Sequence, residues 1–155
     1  MLAIVRKLLK FVPATEARVP LSTSVVANER IRAKMLARLE AVGRDADSIE
    51  ARLAELDREW DIEQVLEASA STLMLTGVVL GVTRSRRWYF LPGLVAGFLL
   101  QHAVQGWCPP LPLLRRLGVR TASEIETERL ALKALRGDFT SVSASMAPRD
   151  LLKLH

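Results

Sequence analysis

Hydrophobic residues are concentrated in two runs near the middle of the chain, and amphipathic segments flank them. The stronger run, residues 88–107, reads WYFLPGLVAGFLLQHAVQGW and contains no Asp, Glu, Lys or Arg. Roughly 20 helical residues cross the roughly 30 Å hydrocarbon layer of a bilayer, and Trp and Tyr are favoured at its two surfaces. Trp88, Tyr89 and Trp107 stand at the two ends of this run. The pattern predicts a membrane-spanning helix.

A weaker apolar run occupies residues 65–83, with Glu67 near its start. Hydroxyl side chains dilute it, but they can bond to the preceding helical turn and cost less in lipid than charges do. These are Ser69, Ser71, Thr72 and Thr76. Residues 84–87, RSRR, leave room only for a turn, so the two runs together predict a transmembrane helical hairpin over 65–107. The alternative is a buried hairpin of a soluble domain, which a chain of 155 residues has little core to accommodate.

The remaining segments predict amphipathic helices. Residues 1–20 begin with a basic amphipathic segment, which would lie in a membrane interface or pack on the protein, and Pro13 and Pro20 bracket a linker. Residues 21–64 predict a helical hairpin that ends its first helix near Gly43. Its two apolar stripes are Ile31, Met35, Leu39 and Val42, and then Ile49, Leu53, Leu56 and Trp60. The stripes would pair within the chain or with another copy.

Two further signals concern the second helix of that hairpin and the end of the chain. Asp47 and Glu50 have the spacing of a capping box, and the absence of Pro and Gly between Trp60 and Val65 allows this helix to continue into the first span. Residues 108–155 predict one amphipathic helix over about 122–135, followed by a flexible tail. The expected fold is therefore all-α, an integral membrane protein with a two-helix transmembrane hairpin flanked by amphipathic helices.

Composition removes several functional classes from consideration. The chain has 22 Lys and Arg against 17 Asp and Glu, a net charge of +5, and its basic residues are scattered. This distribution does not predict a nucleic-acid surface. A single cysteine excludes an internal disulfide, and neither it nor the two histidines have zinc-ligand spacing. We therefore expect no metal and no cofactor, and because no nucleophile and base have a supporting spacing, no enzyme activity.

Small and amide residues recur at four-residue intervals within both spans. Such steps let helix backbones approach closely, and an amide directed at lipid is costly, so these positions predict helix packing. They are Gly77 and Gly81 in the first span, and Gly93, Gly97, Gln101 and Gln105 in the second. The stripes would either close the hairpin on itself or build an oligomer. Two glycine stripes favour the oligomer.

Two residues near the end of the second span are candidates for chemistry. His102 is the only ionisable group in that span, and without an acidic partner there a structural hydrogen bond is favoured over a proton relay or a metal site. Cys108 precedes two prolines at the expected membrane surface. Its thiol is a candidate sulfur or redox site if Arg115 and Arg116 favour the thiolate, although a lone cysteine is more often inert.

The second span ends in Gly106-Trp107-Cys108, after a short turn and a glycine-bearing first span. It resembles the two-helix transmembrane domain at the C-terminus of YgaP-like inner-membrane sulfurtransferases, which also occurs without the enzyme in small bacterial membrane proteins. Residues 112–139 resemble the tail of the stand-alone members. The resemblance implies a bacterial inner-membrane hairpin that self-associates. Residues 1–60 have no alternating strand and helix pattern and no cysteine, so rhodanese activity does not carry over.

The preferred hypothesis is a multi-pass inner-membrane protein that acts as a structural or accessory subunit, or as a self-associating scaffold. Its expected partners are the lipid membrane and further copies of the chain or a membrane complex, and not nucleic acid. One alternative is a membrane-bound persulfide or thiol-redox carrier that uses Cys108. Another is a small oligomeric transporter or channel lined by Gln101, His102 and Gln105.

Overall fold

The structure is a computed structural model that describes residue 14 and residues 16–140. The amphipathic segment expected over residues 1–12 and the tail expected beyond Thr140 lie outside these residues. The described residues form helices and no strand. In chain order the α-helices are α1 (Arg18–Leu21), α2 (Val25–Val42), α3 (Ala46–Leu56), α4 (Ile62–Thr83), α5 (Phe90–Gln105), α6 (Leu111–Leu117) and α7 (Ala122–Arg136), with a 3-10 helix (Arg86–Tyr89) before α5.

The chain divides into two compact units. Unit 1 combines the residues up to Ile31 with Trp60–Ala122, so it contains α1, α4, α5 and α6. Unit 2 combines Arg32–Glu59 with the residues from Ser123 onward, and it contains the C-terminal part of α2, α3 and nearly all of α7.

The core of unit 1 lies where α1, the start of α4 and the start of α6 meet. Its buried members are Val19, Ile62, Leu66, Cys108 and Leu111, and Leu114 and Val119 pack against them. These residues come from three separate stretches of the chain. The core therefore fixes the base of the α4 and α5 pair, where the chain enters α4 and leaves α5.

In the core of unit 2, the apolar stripes of α2 and α3 pack together with a third helix, α7. Ile49, Leu53 and Leu56 of α3 are buried against Ile125 and Leu132 of α7, and Leu39 and Val42 of α2 pack on the same cluster. A buried ion pair joins two of these helices, because Arg52 Nε donates to Glu128 Oε1 at 2.8 Å and Glu128 is fully buried. The stripe predicted Trp60 on this face, but Trp60 is exposed.

Two aspartates begin helices at positions that the sequence analysis did not select. Asp45 accepts a hydrogen bond from the Ser48 amide and so begins α3, in place of the expected Asp47. Asp61 accepts one from the Gln64 amide and begins α4. Because α3 ends at Leu56, it does not continue into α4. An N-cap aspartate satisfies amides that have no partner within the helix, so it favours a new start over a continuous rod.

Only one helix of the described residues, α4, is long and apolar enough to cross a membrane, a test that core helices of soluble proteins also pass. The second expected span, 88–107, is realised as the shorter α5 of 16 residues. Residues Arg86–Tyr89 turn as a 3-10 helix, and Gly106, with a φ of 76°, ends α5. At 1.5 Å per residue, α5 is about 24 Å long.

Candidate functional site

The helices α4 and α5 form an antiparallel hairpin through two close approaches. A Cβ atom on Gly77 would lie 2.6 Å from Cδ of Pro92, and one on Gly81 would lie 2.8 Å from Cε1 of Tyr89. Both glycines are buried. No side chain fits at either position without a shift of its neighbour, so this glycine stripe lies inside the hairpin of unit 1.

The second stripe has a different environment. Gly93 and Gly97 are exposed, and a Cβ atom on either would meet no atom of the described residues within 4 Å. Gln101 is half-buried and Gln105 is exposed. The expected role of these four residues in oligomerisation stays a prediction, and the structure leaves room for it on this face.

The outer faces of α4 and α5 are apolar and uncovered. Only 22% of the most apolar 18-residue stretch of α4 is buried. The most exposed large side chains on the two helices are Val82 and Phe90, at 73% each, and Leu100 and Leu75, at 68% and 66%. A soluble monomeric protein rarely exposes an apolar surface of such extent.

Hydroxyl groups on α4 are satisfied within the helix. Ser69, Thr72, Thr76 and Thr83 each donate to the backbone carbonyl four residues earlier, at 2.6–2.7 Å. The expected bonding of hydroxyls to the preceding turn is thereby confirmed for the first three. A hydroxyl that is bonded in this way needs no water, which lowers its cost in an apolar environment.

A polar cluster closes the base of the hairpin. His102 of α5 is 3% exposed, and its Nε2 lies 2.9 Å from Oε2 of Glu63 at the start of α4. The other carboxylate oxygen of Glu63 accepts from Nη2 of Arg18 at 3.1 Å. The acidic partner that His102 lacks within its own span is therefore supplied by the neighbouring helix.

The segment around α1 also covers the carboxyl end of α5. Arg18 Nη1 donates to the Ala103 carbonyl at 2.8 Å, and the Ser22 hydroxyl donates to the Gln105 carbonyl at 3.2 Å. The last carbonyls of a helix have no partner within it, and a positive charge is favoured there. A Cβ atom on Gly106 would lie 2.6 Å from the Arg18 carbonyl, so a glycine is needed for this approach.

Cys108 lies in an apolar environment. It is 3% exposed within the core of unit 1, and burial raises the pKa of its thiol, while the nearby Glu63 raises the pKa further. This is the reverse of the expected help from Arg115 and Arg116. Arg115 is directed elsewhere, since it donates to the Val119 carbonyl and to Oδ1 of Asn28.

Beside Cys108 an apolar groove of about 200 Å³ runs between α4 and α5. It is lined by Leu66, Ser69, Ala70, Leu73, Val95, Phe98, Leu99, Cys108, Pro109 and Pro110. The lining carries no charged group, so the groove suits hydrocarbon rather than a charged substrate. In the described part of the chain, no three His, Cys, Asp or Glu residues are placed to hold a metal ion.

Sequence reasoning missed Glu63 as the partner of His102, and it missed Arg18 as the second partner of Glu63. One signal was available: an ionisable residue at the start of a span, Glu63, and another near the end of the next span, His102, come together in any antiparallel hairpin. Nothing in the sequence pattern pointed to Arg18, which reaches the cluster from outside the hairpin.

Comparisons of the chain with known protein families, with curated proteins and with solved structures find no match.

Replacing Gly106 with Ala is expected to detach α1 from the end of α5. The residue would carry a strained positive φ, at a cost of about 1–2 kcal/mol, and its Cβ would also overlap the Arg18 backbone. Hydrogen exchange at the amides of Leu21 and Ser22, which bond within the α1 turn, should become faster. Gly118→Ala is the matched control, because it has a φ of 92° but open space around it. Equal exchange in both variants would contradict this account.

Cys108 is expected to react slowly with iodoacetamide. Because its pKa is raised, a smaller fraction is thiolate near neutral pH than in a free cysteine, and burial limits access as well. Alkylation at pH 8 should be several-fold slower than for the same chain unfolded in detergent and urea, and should accelerate as the pH rises. If the folded chain reacted as fast as the unfolded one, the conclusion that the buried Cys108 thiol is unreactive would be wrong.

Proposed function

We propose that this chain is a small membrane protein whose α4 and α5 hairpin anchors it in the bilayer and self-associates. Unit 2 would then contact the other members of a membrane complex or scaffold. The chain acts as a structural or accessory subunit and not as an enzyme. The resemblance at Gly106-Trp107-Cys108 favours the bacterial inner membrane as its location.

One observation carries this proposal: among the described residues of unit 1, no element covers the apolar outer surface of the hairpin. Residues 68–83 and 88–114 contain no Asp, Glu, Lys or Arg, and their large side chains are exposed on both helices. In water this surface would drive association or aggregation. In a bilayer it contacts hydrocarbon at no cost.

A second crossing by α5 is compatible with its length. The helix is about 24 Å long, and Trp88 and Tyr89 of the preceding 3-10 turn add about 4 Å at 2 Å per residue. The total is close to the roughly 30 Å of the hydrocarbon layer. Trp88 and Trp107, both exposed, stand at the two ends, where interfacial aromatic residues are favoured.

Self-association is supported by the free glycine face of α5. Gly77 and Gly81 are already used inside the hairpin, whereas Gly93 and Gly97 present backbone to open space. Small residues on an exposed membrane helix let a second helix approach closely. A second copy of the hairpin is therefore the partner that this face suits.

The two alternative functions have less support. A persulfide or redox carrier requires an accessible thiolate, but Cys108 is buried and its pKa is raised. A channel lined by Gln101, His102 and Gln105 requires these groups to face a shared pore. His102 instead contacts Glu63 within one chain, and Gln101 is only half-buried.

A hairpin that spans the membrane places its tip and its amino-terminal flank on opposite sides. A hairpin that only dips into the bilayer leaves both on the same side. We expect Ser85→Cys at the tip and Ala41→Cys in α2, each made in a Cys108→Ser background, to react with an impermeant maleimide from opposite sides of sealed vesicles. Both positions are exposed, so accessibility does not limit labelling.

Detergent lysis supplies the control, since both cysteines should then be labelled fully. Labelling of both from the same side of intact vesicles would contradict a two-span hairpin. Recovery of the chain in the soluble fraction after an alkaline wash would contradict membrane insertion altogether.

Filling the free glycine face is expected to weaken self-association without unfolding the hairpin. Gly97→Leu should reduce the proportion of oligomer by a factor of several in mild detergent, measured by cross-linking and by sedimentation, because a leucine holds the helices apart. Ala68→Leu, an exposed position on α4, is the matched control for added volume. An unchanged oligomer in Gly97→Leu would mean that this face is not the contact between copies.

A further inference from the structure

The tip of the hairpin is a concentrated positive patch. Arg84, Arg86 and Arg87 are all exposed, and none of their guanidinium groups forms an ion pair or a hydrogen bond within the described residues. The nearest carboxylate along α4 is Glu67, about 25 Å away at 1.5 Å per residue. These three guanidinium groups therefore lack a partner of opposite charge within the part of unit 1 that the structure describes.

The surfaces beside the patch are apolar. Val82 and Phe90 are both 73% exposed immediately before and after the tip, and Trp88 and Tyr89 are exposed within it. A binding partner that contacts the arginines must also accept hydrocarbon directly alongside. An anionic peptide or a nucleic acid offers charge without that neighbouring apolar phase.

The length of the helices sets the depth of the tip. Residues 68–83 span about 24 Å as a helix, as α5 does, which is somewhat less than the hydrocarbon layer. A span that is slightly short is accommodated by local thinning and by flanking cations that extend toward the headgroups. In a bilayer, this accommodation would hold the arginines at the level of the lipid phosphates.

We propose that the hairpin tip binds the phosphate groups of anionic phospholipids through Arg84, Arg86 and Arg87, an inference that rests on the proposed membrane insertion. Planar guanidinium groups pair with phosphate in two-point hydrogen bonds. Trp88 and Tyr89 fix the depth, and the arginines select the headgroup. The tip is a lipid-recognition site, distinct from the polar cluster at the base of the hairpin.

The test uses Trp88 as a reporter in the full chain, with Trp60→Phe and Trp107→Phe removing the other indoles. The protein is reconstituted in phosphatidylcholine vesicles that contain phosphatidylglycerol, and either lipid carries bromine to quench Trp88. We expect brominated phosphatidylglycerol to quench more strongly at equal mole fraction. One arginine near an anionic surface changes lipid association by about fivefold, so the combined variant Arg84→Gln, Arg86→Gln and Arg87→Gln should remove most of the preference.

The matched control is Arg30→Gln, Arg32→Gln and Arg38→Gln, which removes the same charge from exposed positions of α2 and should leave the preference intact. Equal quenching by both lipids in the parent protein would overturn the proposed site while leaving membrane insertion in place. Absence of quenching by either lipid would overturn the insertion itself. Loss of the preference on adding inorganic phosphate, but not chloride at matched ionic strength, would show that the tip recognises free phosphate instead of lipid.

Discussion

The close approach of α4 to α5 is the contact on which unit 1 depends. Gly77 lies against Pro92 and Gly81 against Tyr89, and both distances leave no room for a side chain. A helix backbone that lies this close to the side chains of its neighbour gains many weak dispersion contacts, which act equally in water and in lipid. The same packing directs the larger Leu, Val and Phe side chains outward, so the hairpin acquires an apolar exterior as a consequence of its own closure.

The base of the hairpin shows how polar groups are kept out of that exterior. The Glu63 carboxylate contacts both Arg18 and His102, and Arg18 also donates a hydrogen bond to the Ala103 carbonyl. The Glu63 side chain is 35% exposed, so solvent screens its ion pair with Arg18 and the pair contributes little net stability. The main effect of the cluster is therefore to specify one arrangement of α1, α4 and α5, and its contribution to the stability of that arrangement is small.

Local signals in the sequence predicted much of the secondary structure. Helix α7 was expected over 122–135 and runs from Ala122 to Arg136, and the first apolar run became α4. The single membrane-length helix fell short of the expected pair because the second run loses residues to a 3-10 turn and to the stop at Gly106. Those losses depend on backbone conformations that hydropathy does not encode.

Contacts between distant segments were largely beyond prediction. The three-helix core of unit 2 joins Leu53 to Leu132, and periodicity gives each helix its apolar face without saying which faces meet. His102 was correctly treated as in need of a partner, but that partner lay 39 residues away. The raised pKa of Cys108 likewise follows from burial, whereas proximity in sequence suggested the opposite influence from Arg115.

The energetics of the proposed membrane insertion favour the two apolar runs acting together. At about 0.3–0.6 kcal/mol for each central Leu, Val or Phe, the apolar residues of α4 supply only about 2–4 kcal/mol, similar to the cost of one charge at the bilayer centre. These residues are Leu73, Leu75, Val78, Val79, Leu80 and Val82. A lone α4 would also expose Gly77 and Gly81 to lipid. Pro92 of α5 and Tyr89 of the preceding turn cover those glycines, the hydroxyls are bonded inside the helix, and the charges are confined to the tip and the base. The proposed insertion of the hairpin as one unit is therefore favoured over insertion of either helix alone.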